Sequence, residues 1–322
     1  MKVKKALLTG GSGFIGSNLA EELSSRGVDV DIVDDMSNGH VEFLPANLRS
    51  KLLVDDFSSK KVLESIKQRK YDTVFHIAAV PRVGYSVEHP LESNDANVTK
   101  TLALMNSCRG NINRFVFASS SSVYGDTNLL PTPSTCVKKP KSPYALQKSI
   151  IEDYLKLYHN LYGLDSVCLR FFNVFGPKQL GDSPYATVIG SWLTAIKGEK
   201  SMRSDGDGTQ SRDMCYVDNV VDACIRGAEA EGVIGAEGLN VACGEKTTNK
   251  EIRQYLLSKY PNAKYHDAPW RPGDVMHTLA DVSRTTEVLG YKPLVQFWDG
   301  LDKTIKWYEE NWHMIKGLTL KA

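Results

Sequence analysis

The chain has 322 residues, 42% of them hydrophobic, enough to bury a large core and to build two lobes. Its 39 basic and 38 acidic residues are well mixed and leave a formal net charge of +1, which argues against nucleic-acid and membrane partners and for a small molecule. Cys108, Cys136, Cys168, Cys215, Cys224 and Cys243 are scattered without a C-x-x-C pair or a histidine cluster. That pattern disfavours zinc and a disulfide framework and fits a reducing cytoplasm.

The first predicted strand covers residues 6–9. Lysines and a short apolar run at the start resemble a signal peptide, but glycines follow at once and no long apolar stretch occurs, so neither a leader nor a membrane span is expected. Gly10, Gly13 and Gly16, with Phe14 and Ile15 among them, join this strand to a helix over residues 17–26. Such a turn lets backbone approach a pyrophosphate at a helix N-terminus. The second strand, residues 28–34, ends in Asp34, where a carboxylate accepts ribose hydroxyls and repels a 2'-phosphate, so NAD is favoured over NADP. Asp35 is adjacent and could take that role instead.

Further short apolar runs at 52–55, 73–78, 115–119 and 167–171 alternate with helical patterns at 60–69 and 97–108. The rhythm is that of a doubly wound α/β fold with a Rossmann-type parallel sheet, in which ligands collect at the carboxyl ends of the strands. Asp34, Ala78 and Ser119 fall at such ends. His76 has no metal-spaced partner and is expected to be a satisfied core histidine. Arg82 lies in the loop after the fourth strand, where a ligand contact and a solvent-exposed role both fit.

Residues 142–162 read as one long helix, with Ser142 as N-cap, Pro143 at the first position and Gly163 just past the end. Tyr144, Lys148, Ile151, Leu155, Tyr158 and Tyr162 recur at helical spacing, so Tyr144 and Lys148 share a face that otherwise looks buried. With a phenol pKa near ~10, tyrosine at pH 7 is ionised about one part in a thousand, and some ~4 kcal/mol of charge stabilisation is needed to use it as a base. An ammonium and a cationic nicotinamide could supply it. After Gly176 and Pro177 the alternation weakens and Gly/Asp/Ser-rich loops mark a smaller lobe. The expected division is 1–176 for the dinucleotide domain, with returning segments near 214–243 and 276–282, and 177–322 mainly for a second α/β lobe.

The conjunction of the glycine turn, His76 to Ala79, Asn97-Val98, the serine run within Ala118 to Gly125, Pro143-Tyr144 to Lys148 and Arg170 to Pro177 resembles the extended short-chain dehydrogenase/reductase family, in its NAD-dependent epimerase/dehydratase branch. The segments at Gly206 to Gly208, Arg212-Asp213, Tyr216 to Asp218 and Arg271 to Asp274 are similar to those of UDP-hexose and UDP-N-acetylhexosamine 4-epimerases. The resemblance implies Tyr144 as acid/base on the sugar 4-hydroxyl, Ser120 sharing that hydrogen bond, and Lys148 on the nicotinamide ribose. Four serines in a row leave Ser119 and Ser121 as alternatives to Ser120. It further implies cofactor contacts at Asp56, Phe57, Ala78, Ala79, Asn97 and Phe171, and UDP-sugar contacts at Asn173, Arg212, Arg271, Asp274 and Thr278.

In dehydratase relatives an Asp-Glu pair occupies the loop where this chain has Ser121-Ser122, which disfavours dehydration. A UDP-glucose/UDP-galactose or UDP-glucuronate epimerase remains an alternative, and a redox-dead NAD-binding regulator a remoter one. Small Thr278 leaves room for an N-acetyl group, so UDP-GlcNAc/UDP-GalNAc is the favoured pair. Arg203-Ser204 and Lys100 depart from the family pattern: Arg203 is expected in a solvated loop, and Lys100 signals a backbone that does not need glycine. By family analogy the helices near 97–108 and 143–162 form a homodimer interface.

Overall fold

The computed structural model describes residues 2–181, 187–270 and 275–318. Six of its strands are those read from the sequence: β1 (Lys5–Thr9), β2 (Asp29–Asp34), β3 (Leu52–Val54), β4 (Thr73–His76), β5 (Arg114–Ser120) and β6 (Ser166–Phe171). Among the described residues they form a seven-stranded parallel sheet in the order β3-β2-β1-β4-β5-β6, closed at its far edge by Glu237–Val241. Side chains alternate between two buried faces. Leu8, Ile32, Phe75, Val116 and Leu169 enter one cluster, and Leu7, Val33, Val74, Phe115 and Cys168 the other. Burial on both faces explains why these strands read as apolar runs rather than as alternating ones.

The seventh strand, with Gly238 and Asn240 in its middle, carries little strand signal. Its glycine has a physical reason, since a Cβ there would stand 2.4 Å from Nη2 of Arg170 on β6. The Val217–Glu229 helix precedes it and packs on β5 and β6, so the chain returns to the large sheet after leaving it. Smaller pairings lie outside that sheet: Met202–Asp205 runs parallel to Tyr265–Ala268, and Ser211–Arg212 antiparallel to Thr247–Thr248.

The long helix spans Pro143–Tyr162, with Ser142 accepting from the backbone N–H of Ala145 and Gly163 ending it in the left-handed region. Its buried stripe is shorter than the periodicity suggests. Tyr144, Lys148, Ile151 and Leu155 are buried, whereas Tyr158 is half-buried and Tyr162 exposed, because the last turn runs past the edge of the core. The helix expected at 97–108 is α-helical only over Lys100–Cys108 and is preceded by a wide π turn, Asp95–Thr99. Lys100 sits there with helical backbone angles and binds Asp56 at 2.8 Å, which accounts for a non-glycine residue. No described helix is long and apolar enough to cross a membrane.

Candidate active site

The strand order reverses between β1 and β4, and a cleft of about 640 Å³ opens at their carboxyl ends. Gly10, Gly13, Phe14, Ile15, Gly16, Asp34, Phe57, Ala78 and Ala79 line it. Two glycines are sterically obligatory. Gly10 has φ +71°, and a Cβ on it would meet the Ala78 backbone at 2.7 Å; a Cβ on Gly16 would lie 2.0 Å from the Gly10 carbonyl oxygen. The cradle therefore exists only because side chains are missing, which is the condition for backbone to approach a pyrophosphate. At its far wall the buried Asp34 carboxylate accepts from the N–H groups of Ser12 and Met36, both at 2.9 Å. Burial raises its pKa and these bonds partly offset the rise. Asp35 is exposed and caps its own turn at Ser37. The residues present fit NAD: a glycine cradle for the diphosphate and a fixed carboxylate where a ribose would lie.

Asp56, Asn97 and Phe171, like Tyr144 and Lys148, are expected at the cofactor and stand outside the cleft lining. Asp56 is held by Ser58 and Lys100, and the neighbouring Asp55 lines the cleft instead. Asn97 spends its amide on Val80, accepting from its N–H at 2.8 Å and donating to its carbonyl at 3.1 Å, and donates to Gln147 at 2.8 Å. Its effect on the cleft is exerted through Val80, which does line it. Phe171 is buried opposite Ser120 in the β5–β6 register. His76 is a satisfied core residue, with Thr9 at 2.7 Å and Thr101 at 2.9 Å, and burial lowers its pKa to about 3.

Beyond the cleft, the end of β5 meets the first turns of the long helix. Lys148 Nζ is buried, donates to the Ala118 carbonyl at 2.7 Å and lies 5.9 Å from the Tyr144 ring centre. Ser120 is the polar neighbour that counteracts the effect of burial on the Tyr144 hydroxyl. Ser120 Oγ accepts from both the N–H and the hydroxyl of Ser122, which leaves its own proton for a further acceptor. Of the neighbouring serines, Ser119 is turned away to donate to Glu152 at 2.6 Å. Ser86 accepts from the Tyr144 N–H at 3.1 Å and donates to the carbonyl of Val83, a cleft residue, so the two halves of the site are joined. Burial drives Tyr144 up to about 12, opposed by Ser120, and Lys148 down to about 7, opposed by Glu152. The protein alone therefore favours the neutral phenol.

A third group gathers Asn173, Thr278 and Asp213. The Asn173 amide donates to the Thr278 hydroxyl at 3.0 Å and to the Asp213 carbonyl at 3.1 Å, and its backbone has φ +31°. The Asp213 carboxylate accepts from the N–H groups of Cys243, Gly244 and Ala280 at 3.0–3.1 Å, and burial raises it to about 6. Arg212 follows the same frame, donating to the carbonyls of Ser211 and Met276. Arg271 and Asp274 lie outside the described residues. Arg203 is exposed and paired with Asp205 at 2.7 Å, but it lies on the Met202–Asp205 strand, opposite His266, rather than in the expected solvated loop. Arg82 lines the cleft and donates to Asn38 at 2.6 Å.

Sequence reasoning missed Asp213, Gln147 and the Glu152–Arg170 pair as parts of this frame. A signal for Glu152 was present: it falls one turn after Lys148 on the buried stripe, where an unpartnered carboxylate would be costly.

With the glycine cradle, the buried acid of β2 and the Ser-Tyr-Lys group in place, the class is defined. Residues 6–242 match the model of the NAD dependent epimerase/dehydratase family, and the chain belongs to it. A putative UDP-glucose 4-epimerase of Methanocaldococcus jannaschii is 32% identical, over 95% of this chain and 98% of that protein. Among solved structures, the UDP-N-acetylglucosamine 4-epimerase of Methanobrevibacter ruminantium, in complex with UDP-N-acetylmuramic acid, is 37% identical with a TM-score of 0.89, covering 97% of this chain and all of that one. The UDP-glucose 4-epimerase of Thermotoga maritima, with UDP-glucose, is 31% identical with a TM-score of 0.89, covering 96% and 99%. Within its family the chain thus stands among the NAD-dependent nucleotide-sugar 4-epimerases.

Proposed function

We propose that the protein inverts C4 of a UDP-sugar, with UDP-GlcNAc and UDP-GalNAc as its substrate pair. The observation that carries the reaction type is the Ser120–Tyr144–Lys148 group, followed in the β5 loop by Ser121 and Ser122 rather than by carboxylates. Gly10, Gly13 and Gly16 hold the diphosphate of NAD, Asp34 its adenosine ribose and Lys148 its nicotinamide ribose. When bound, NAD supplies the hydride acceptor for C4 and a positive nicotinamide charge beside the phenol.

Tyr144 Oη removes the proton of the 4-hydroxyl, and Ser120 Oγ donates its one proton to that oxygen. A phenol at about 12 needs some ~7 kcal/mol of charge stabilisation to ionise at pH 7. Lys148 provides part of it by donating toward the developing phenolate. The 4-keto sugar would turn over while Asn173 and Arg212 keep the diphosphate anchored, so that the hydride held by the cofactor would return to the opposite face of C4 while Tyr144 returns the proton to its oxygen. An eliminating enzyme would need a further acid and base, which Ser121 and Ser122 cannot be.

The N-acetylated pair is supported by the small side chain of Thr278, whose hydroxyl accepts from the Asn173 amide and the Asp213 N–H. It is also supported by the 37% identity to a UDP-N-acetylglucosamine 4-epimerase. A homodimer is supported by Leu146, Tyr154, Leu157 and Leu161, which form an exposed apolar stripe on the long helix. The test is to incubate the purified protein with UDP-GlcNAc, UDP-Glc or UDP-GlcA, without and with added NAD, and to follow the anomeric NMR signals. Interconversion fastest for UDP-GlcNAc is expected; no interconversion of any of the three would sink the epimerase reading.

A further inference from the structure

Glu152 and Arg170 are buried charged residues that the mechanism above does not use. Glu152 stands one helical turn beyond Lys148, and both grip β5 at consecutive residues. Lys148 donates to the carbonyl of Ala118 at 2.7 Å, and the hydroxyl of Ser119 donates to Glu152 Oε1 at 2.6 Å. The next residue on the strand is Ser120. Arg170, from β6, closes a bidentate pair on Glu152, Nε to Oε1 at 2.9 Å and Nη2 to Oε2 at 2.7 Å. Its Nη1 donates to the Tyr124 hydroxyl at 2.8 Å and the Ser134 carbonyl at 2.7 Å. Tyr124 passes the contact to Asn240 at 2.5 Å, so the frame reaches the seventh strand, where Gly238 leaves the space that Arg170 fills.

We infer that Glu152, clamped by Arg170, is a positioning residue for the reaction: it fixes the Ser119–Ser120 end of β5 in register with the Tyr144–Lys148 turn. The inference rests on the roles of Tyr144 and Lys148 proposed above. Stability alone does not demand such a pair, because well-packed apolar residues of similar volume often serve a core as well or better. What they could not do is bond Ser119 at a fixed height on the helix. Facing Lys148 are Tyr144 and Glu152 from its own helix and His76 from β4; facing Glu152 are Arg170 and Cys168 from β6, with Lys138 and Tyr124 from the loops. With His76 and Tyr144 neutral, Glu152 is the anion in this set that favours the charged ammonium of Lys148.

The test compares Ser119→Ala, which removes the strand contact and keeps the ion pair, with Glu152→Gln, which keeps an acceptor and removes the charge, and with Tyr144→Phe as reference. Folding is checked by circular dichroism, and kcat and KM for the UDP-sugar are measured across pH. Ser119→Ala is expected to lose about 10- to 100-fold in kcat with KM within about twofold, the signature of misplaced reacting groups. Glu152→Gln is expected to lose kcat too and to move its alkaline limb to lower pH, while Ser119→Ala leaves that limb in place. Wild-type kcat in Ser119→Ala overturns the inference whatever Glu152→Gln does, and so does a folded Glu152→Gln with wild-type kcat and limb. If Tyr144→Phe is inactive in that case, only this inference fails; a fully active Tyr144→Phe removes the underlying reading itself.

Discussion

The two sides of the candidate site, the dinucleotide cradle and the Asn173–Thr278 group, are built by opposite means. The dinucleotide wall is made by omission: Gly10 and Gly16 have no side chain because neighbouring backbone occupies the place one would need, and the residues that form the turn are consecutive. The wall carrying Asn173 and Thr278 is made by addition. There one carboxylate, Asp213, ties together N–H groups at 243, 244 and 280, and the Asn173 amide reaches across 105 residues to Thr278. A cradle made of short-range backbone fails by steric filling, and a frame made of long-range hydrogen bonds fails by losing an acceptor. Damage to one wall should therefore leave the other nearly intact.

The largest effect belongs to the place where the walls meet. Tyr144→Phe should retain NAD and UDP-sugar binding and lose about 10²–10⁴-fold in kcat, as removal of a positioned acid/base does; steady-state kinetics with binding titrations check it. On the dinucleotide wall, Gly16→Ala forces a methyl to within 2.0 Å of the Gly10 oxygen. Overpacking of about 1–3 kcal/mol corresponds to roughly 10- to 100-fold in NAD Kd, while UDP binding changes little. Calorimetric titration of both ligands separates the two. On the other wall, Asp213→Asn turns an amide against backbone N–H groups and should cost about 1–3 kcal/mol of stability, raising the UDP-sugar KM and sparing NAD. Denaturant unfolding and kinetics would detect a wrong partition at once.

The smallest effect has the opposite sign. Burial lowers Lys148 to about 7 from 10.5, so the folded chain binds fewer protons than the unfolded chain between those values, and the stability of the protein without ligands should rise with pH across that window. Lys148→Met removes the slope and, at pH 7 and below, the cost of the buried charge. A gain of about 1–3 kcal/mol, or a few degrees in Tm, is expected alongside lost turnover. A melting curve of Lys148→Met at several pH values decides it; a lower Tm at pH 6 would contradict the sign.

The same contrast explains what was legible in the sequence. The six strands of the first half, the glycine turn and the capped helix at Pro143–Tyr162 are local patterns, and the structure has them within a residue or two. Spacing does not tell Ser120 from its neighbours; what it could not show is that Ser119 turns to Glu152 and Ser122 to Ser120. The Glu237–Val241 strand was hidden because its glycine answers Arg170 rather than any strand propensity. Asp213 was hidden beside the more conspicuous Arg212, since its three donors come from segments about 30 and 67 residues away. The end of the apolar stripe was over-read for the converse reason: Tyr158 and Tyr162 keep the helical period after the helix has passed the core.

The central claim is that both walls hold a single sugar at one site while hydride leaves C4 and comes back to it, with Tyr144 carrying the proton. The direct measurement is to convert UDP-GlcNAc deuterated at C4 in ordinary water and to read the label in the UDP-GalNAc product by NMR or mass spectrometry. Full retention of deuterium at C4 is expected, because the hydride never leaves the site. Product formed with the label washed out to solvent would contradict it.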